Sequence, residues 1–198
     1  MRRSQRLPQR WLLLLLLSTF AAGWWLSAEW PLRLTGVAML PPGGDFTLES
    51  ADGPLHLVDL RGQLVVIYFG YTACPDVCPT SLALLAQGLR QLSEAELAQI
   101  EPLFITLDPA RDTPDQLAKY SAYFHPALRG AGGSTALIDA LAQRYGVLFE
   151  RQPADENGNY AVDHSSWIYL IDRQGRLVER LDHGTPPSAI ASALRARL

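Results

Sequence analysis

The sequence is poor in lysine, cysteine and basic clusters. Lys119 is the one lysine among 17 basic residues, and beyond Arg10 there is no basic run. An acidic chain without such a run excludes the phosphate-tracking surface of a nucleic-acid binder. Two cysteines exclude a disulfide-dense framework and a four-thiolate zinc site. No internal repeat or low-complexity tract is present, which excludes a solenoid.

Charge is also missing from Trp11 to Ala28, a span that includes the leucine run Leu12–Leu17. Eighteen helical residues reach about 27 Å, close to the hydrocarbon thickness of a bilayer. Arg2, Arg3, Arg6 and Arg10 precede the span, so residues 1–10 are expected in the cytoplasm and the rest outside. Residues 11–28 are read as an uncleaved transmembrane anchor, with Trp24, Trp25 and Trp30 suited to the interface. A cleaved signal peptide is the alternative, with Ala21, Ala22 and Gly23 as its small-residue site. Either reading exports the remainder, where disulfides persist. Four of the 17 basic residues precede the span. The exported part therefore keeps 13 basic against all 20 acidic residues, a charge of −7.

Residues 29–44 carry Pro31, Pro41, Pro42, Gly43 and Gly44 and are expected to be a linker. Residues 45–198 form one expected domain. Phe46–Glu49 and Leu55–Leu60 alternate around Asp52 and Gly53, a hairpin pattern. Leu64–Phe69 and Leu103–Leu107 are continuous apolar runs, as strands buried on both faces require. Between them a helix is expected from a cap at Thr80 or Ser81 to about Leu92, with Leu82, Leu85 and Leu89 on one face. Thr113 and Pro114 start a helix that runs to about Phe124. Thr135–Tyr145 is a further helix, ended by Gly146. Tyr160–Val162 is a short strand, Trp167–Ile171 and Arg176–Leu181 form a hairpin, and Pro186–Leu198 is a closing helix. This order resembles the thioredoxin fold, an α/β architecture, with an added N-terminal β-hairpin and an inserted helix near 135–145. Ligand chemistry in such sheets gathers at the carboxyl ends of the strands.

Both cysteines lie in FGYTACPDVCP, residues 69–79, just beyond the first buried strand. If the chain turns helical at Pro75, Cys74 and Cys78 share one face, a turn apart. A helix N-terminus stabilises a thiolate there, while Asp76 opposes a second negative charge. Three readings stay open: a structural cross-link, a dithiol redox couple and half of a metal site. A disulfide across so short a loop has little effect on chain entropy. The usual redox motif has two intervening residues, and here there are three. A metal site needs a further ligand. His56, His125 and His183 lie away from the expected sheet edge, whereas His164 directly precedes the strand 167–171, where thioredoxins commonly place a cis-proline. No proline lies between Pro153 and Pro186. Two thiolates and an imidazole form a soft set of low coordination number that suits Cu(I). Cu(II) would add water or a carboxylate. Zinc would want a fourth ligand, for which Asp163 and Asp108 are the candidates.

At these residues the chain resembles the Sco/SenC family, membrane-anchored copper chaperones of cytochrome c oxidase assembly. The resemblance rests on FGYTACPDVCP (69–79), DPARDTP (108–114) and DHS (163–165), and spans about residues 40–185. It implies copper held by Cys74, Cys78 and His164, and a Cys74–Cys78 disulfide in the oxidised state. Asp76, Asp108, Asp112 and Asp163 are expected beside these ligands, with Arg111 paired to one of the carboxylates. The implied setting is a bacterial inner membrane, crossed once, with the C-terminal domain in the periplasm. The implied partners are oxidase subunit II and an upstream copper donor or thiol reductant. A thiol-disulfide oxidoreductase acting on the oxidase cysteines is the alternative, and a peroxidase fits less well. The chain departs from the family pattern at Ala73 and in the glycine-rich stretch 130–133, which is expected to be a surface loop that bears on partner choice.

Overall fold

The computed structural model describes residues 40–198. The expected cytoplasmic terminus, the anchor 11–28 and most of the linker lie outside the described residues. Among those described, no helix is long and apolar enough to cross a membrane.

The chain enters through an antiparallel hairpin, β1 (Thr47–Ser50) and β2 (Gly53–His56). The second expected strand stops at His56, because Leu57–Leu60 forms one 3-10 turn. At three residues per turn Leu57 and Leu60 share a side, so both meet the core while Val58 and Asp59 face out.

β3 (Leu64–Gly70) is buried at every position, as its unbroken apolar run requires of a central strand. It pairs in parallel with β4 (Ile100–Thr106), with Ile67 opposite Leu103. Parallel neighbours need a crossover, here supplied by helices α1 (Val77–Leu89) and α2 (Glu94–Leu97). α1 starts three residues before the expected cap. Pro79 falls in its first turn, where a missing N–H costs no intrahelical bond. α2 is an element the sequence reading passed over, although Ser93 and Glu96 form a full capping box.

α3 (Pro114–Phe124) begins as expected, with Thr113 and Gln116 closing a capping box ahead of Pro114. It leads to β5 (Arg129–Ala131), parallel to β4 at the sheet edge. This corrects the reading of 130–133 as a surface loop. Gly130, Ala131 and Gly132 are buried, and a Cβ on Gly130 would stand 2.5 Å from the Leu117 carbonyl oxygen. The glycine lets α3 lie directly on the strand. α4 (Thr135–Tyr145) follows and ends at Gly146, whose φ of 65° closes the helix.

A two-stranded ribbon, β6 (Phe149–Arg151) and β7 (Val162–His164), then sets Phe149 opposite His164. β8 (Ile168–Ile171) runs antiparallel to β3, and β9 (Leu177–Leu181) antiparallel to β8. α5 (Pro187–Arg195) closes the chain against α1. The main sheet has the order β5-β4-β3-β8-β9.

Successive β3 side chains point to opposite faces. Phe69 meets Tyr145 of α4 at 5.8 Å between ring centroids. Tyr68 stacks on Phe104 at 6.4 Å, and Phe104 meets Tyr120 of α3 at 5.3 Å. Helices thus cover both faces, and the carboxyl ends of β3 and β4 open at one rim.

Candidate metal centre

The site starts where β3 runs out. After Gly70 the chain turns through Tyr71–Asp76, and the Cys74 N–H donates to the Tyr71 carbonyl at 3.3 Å. Cys78 lies in the first turn of α1, completely buried, while Cys74 is half-buried. The Cys78 backbone N–H reaches the Cys74 Sγ at 3.4 Å, so the helix end holds the other sulfur. Gly70 makes room for this packing: a Cβ there would lie 2.8 Å from the Cys78 Sγ.

His164 arrives from β7, 86 residues further along, and its Nε2 stands 3.1 Å from the Cys78 Sγ. Tyr68 and Tyr71 meet the imidazole edge-on, with centroids 6.3 and 6.1 Å away. The Nδ1–H donates to the Ser165 carbonyl at 2.9 Å, which assigns the tautomer and leaves the Nε2 lone pair facing the sulfurs. A ligating histidine needs that state. The donor atoms of Cys74, Cys78 and His164 all lie within 4.8 Å of one another. Among the described residues this is the only group of three or more such side chains able to close on one ion.

The two thiols differ. The Cys78 side chain hydrogen-bonds the Cys74 sulfur and, with the N–H groups of Cys78 and Asp76, lowers the Cys74 pKa to about 3 against the effect of burial. Hydrogen bonding to Cys74, together with burial, pushes Cys78 up. Negative charge therefore settles on Cys74. Both cysteines are free thiols here.

The expected neighbours occupy four different settings. Asp112 is buried and accepts from the Thr72 N–H at 3.0 Å, the Thr72 hydroxyl at 2.5 Å and the Thr106 hydroxyl at 2.6 Å. Asp108 is also buried and accepts from the Tyr160 hydroxyl at 2.6 Å and from Arg111 Nε. The Arg111 guanidinium lies 3.6 Å over the Tyr160 ring. One turn after β4 thus fastens the cysteine loop through Thr72 and the approach to His164 through Tyr160. Asp76 is exposed and caps α1 without a side-chain bond. Asp163 is exposed and accepts from Gln152 Nε2 at 2.7 Å. Neither Asp108 nor Asp163 joins the sulfurs, so the candidate fourth ligands do not converge.

The other histidines stay apart, as expected. His56 pairs with Thr47, His125 accepts the Ala127 N–H, and His183 contacts Ser81. Sequence reasoning missed Thr72, Thr106 and Tyr160. A threonine or tyrosine in a loop carries no spacing signal, and its partner is known only once the chain has folded.

A family model described as SCO1/SenC matches residues 38–198. The chain belongs to the SCO1/SenC family. Over 157 residues it is 40% identical to the mitochondrial SCO2 homolog of Bos taurus, covering 78% of this chain and 59% of that protein. It is 39% identical over 155 residues to an SCO2-like protein of Rickettsia felis, covering 77% and 75%. The chain thus spans about three fifths of the length of the bovine relative. The copper-bound structure of ScoI from Bradyrhizobium japonicum superposes with a TM-score of 0.73 at 37% identity, covering 79% of this chain and 99% of that one. In SCO1/SenC terms, the mixed α/β, thioredoxin-like core read from the order of elements is the family fold.

Proposed function

We propose that this chain is a membrane-anchored copper carrier that loads or prepares the binuclear copper centre of cytochrome c oxidase subunit II. One observation carries the reading. Two sulfurs and one correctly oriented imidazole nitrogen converge within 4.8 Å, with a copper-bound relative of the same fold. Cys74, Cys78 and His164 are the ligands. A soft set of three suits Cu(I), and Cu(II) draws on added oxygen donors. The ion is cargo: it leaves when a partner's ligands replace these, and no substrate bond changes. An upstream donor or thiol reductant restores the loaded or reduced state. Residues 11–28 hold the domain at the inner membrane and residues 29–44 tether it on the periplasmic side.

Titration of the reduced protein with Cu(I) tests this, with X-ray absorption to identify the neighbours of the metal. One equivalent bound by two sulfurs and one nitrogen is the expected result. His164→Ala should weaken binding at least tenfold, on the scale of lost ligand contacts. Undiminished affinity in that variant overturns the three-ligand site.

The asymmetry of the thiols favours a second role. Cys74 is the half-exposed thiolate and Cys78 the buried thiol, the pattern of an attacking and a resolving sulfur. Cys74 attacks a partner disulfide and releases one partner thiolate. Cys78 then displaces the second partner sulfur, leaving a Cys74–Cys78 disulfide here and a dithiol there. Two electrons pass to the partner; the one thiol proton, on Cys78, leaves this site, and the partner dithiol takes its second proton from water. His164→Ala should spare this exchange while losing copper.

A further inference from the structure

Asn157 and Asn159 are the only asparagines in the chain, and both lie at the tip between β6 and β7. Residues 153–159 are exposed throughout. Among the described residues, every hydrogen bond of residues 155–159 stays within the tip. The Asp155 N–H donates to the Asn159 carbonyl at 2.7 Å, and the Gly158 N–H donates to the Asp155 carbonyl at 2.9 Å. The Asp155 carboxylate accepts the N–H groups of Asn157 and Asn159 at 2.9 and 2.8 Å, and the Asn159 side-chain amide at 3.3 Å. None of the five side chains is apolar, so the tip opens without exposing core. Gly158 follows Asn157 with a φ of 81°, and no atom outside its immediate neighbours lies within 4 Å of where a Cβ would stand. Its backbone nitrogen is therefore the least hindered in the tip. Asn159 is followed instead by Tyr160, whose hydroxyl is anchored on Asp108.

We infer that Asn157 is a site of spontaneous deamidation and that Asp155 restrains it. The Gly158 nitrogen attacks Cγ of the Asn157 side chain. A new N–Cγ bond forms, the amide C–N bond breaks, and ammonia leaves with the Gly158 proton. Water then opens the cyclic imide. Cleavage of the nitrogen's bond to the side-chain carbonyl gives aspartate. Cleavage of its bond to the backbone carbonyl gives isoaspartate, which adds one methylene to the main chain. Neither step changes an oxidation state. Attack requires the Gly158 N–H to leave the Asp155 carbonyl, and the bonds on the Asp155 carboxylate oppose that opening. The product places one more negative charge beside Asp155 and Glu156. The added methylene falls in the turn that leads to β7, the strand that ends at His164. This chemistry is independent of the copper-carrier reading.

Incubation of the folded protein at mildly alkaline pH, followed by peptide mass spectrometry with fragmentation to place the change, tests this. Asn157 should convert at least tenfold faster than Asn159, its internal control, because only Asn157 precedes a glycine. Gly158→Ala should slow the conversion at least tenfold, as a side chain crowds the attacking nitrogen. Asp155→Ala should speed it at least threefold by freeing the tip, with the denaturant midpoint unchanged. Folded wild-type protein that keeps Asn157 intact overturns the site, and conversion of the urea-unfolded chain in the same assay shows the fold to be the cause. Conversion of Gly158→Ala at the wild-type rate overturns the route through the Gly158 nitrogen. Conversion no faster in Asp155→Ala than in wild type overturns the restraint assigned to Asp155.

Discussion

Asp112 accepts both the backbone N–H and the hydroxyl of Thr72, 40 residues away in sequence, at 3.0 and 2.5 Å. This pair fastens the start of the cysteine loop to the turn after β4. Since Asp112 is buried and also serves Thr106, removing it strands three donors. Asp112→Ala should lower unfolding free energy by about 2–4 kcal/mol, the cost of buried groups left unpaired. Chemical denaturation checks this, and Cu(I) affinity should fall in parallel as the loop loosens.

Tyr160 provides a milder case. Its hydroxyl donates to Asp108, whose other oxygen is taken by Arg111. Tyr160→Phe keeps the ring under the guanidinium and removes one bond to a charged acceptor. A loss of about 1.5–3 kcal/mol is expected. Arg111 stays over the ring, so the fold should persist, with Cu(I) released more readily from the less firmly held His164. Denaturant midpoints and competition with a Cu(I) chelator measure the two effects.

Gly70 has an ordinary strand conformation, so only space demands glycine there. A methyl group would meet Cys78 Sγ at 2.8 Å, Phe104 at 3.0 Å and Tyr68 at 3.1 Å. Gly70→Ala should cost about 1–3 kcal/mol through overpacking. It should also push the buried sulfur off its line to His164, weakening Cu(I) binding about tenfold by chelator competition. Wild-type affinity in a folded Gly70→Ala protein would contradict the tight placement of Cys78.

His125 predicts a pH dependence away from the metal. It is buried, and its Nδ1 accepts the Ala127 N–H at 3.1 Å, which requires the neutral ring. Burial and the nearby Arg90 lower its pKa below the usual 6.5. The unfolded chain therefore binds the extra proton first. This contribution to stability is fully present above about pH 6.5 and is lost as pH falls below that value, with a slope of at most about 1.4 kcal/mol per pH unit. Unfolding free energies of wild type and His125→Gln between pH 5 and 8 should converge at acid pH and separate at neutral pH. Parallel curves would exclude His125 as the source.

The reading of the chain succeeded where local chemistry was sufficient. Leu64–Phe69 and Leu103–Leu107 identified the two central strands, although β4 begins three residues earlier, at Ile100. Thr113, Pro114 and Gly146 marked helix ends that the structure keeps. It failed at the stretch 130–133, whose glycines resemble a loop. There the close approach of α3 to β5, not turn geometry, calls for a residue without a side chain. The 3-10 turn at Leu57–Leu60 was missed because Leu55 and Leu57, two apart, carry an alternating strand pattern past His56.

Composition, apolar periodicity and the spacing of Cys74 and Cys78 determined the layered α/β core and the position of two sulfurs at a strand end. These are local properties, set by propensities and by the need to bury apolar runs. Only the tertiary structure decided that His164 meets Cys78, that Asp112 holds Thr72 and that Tyr160 reaches Asp108. Each of these joins residues far apart in sequence. Their distances follow from sheet order and strand register, which the packing of the whole domain selects.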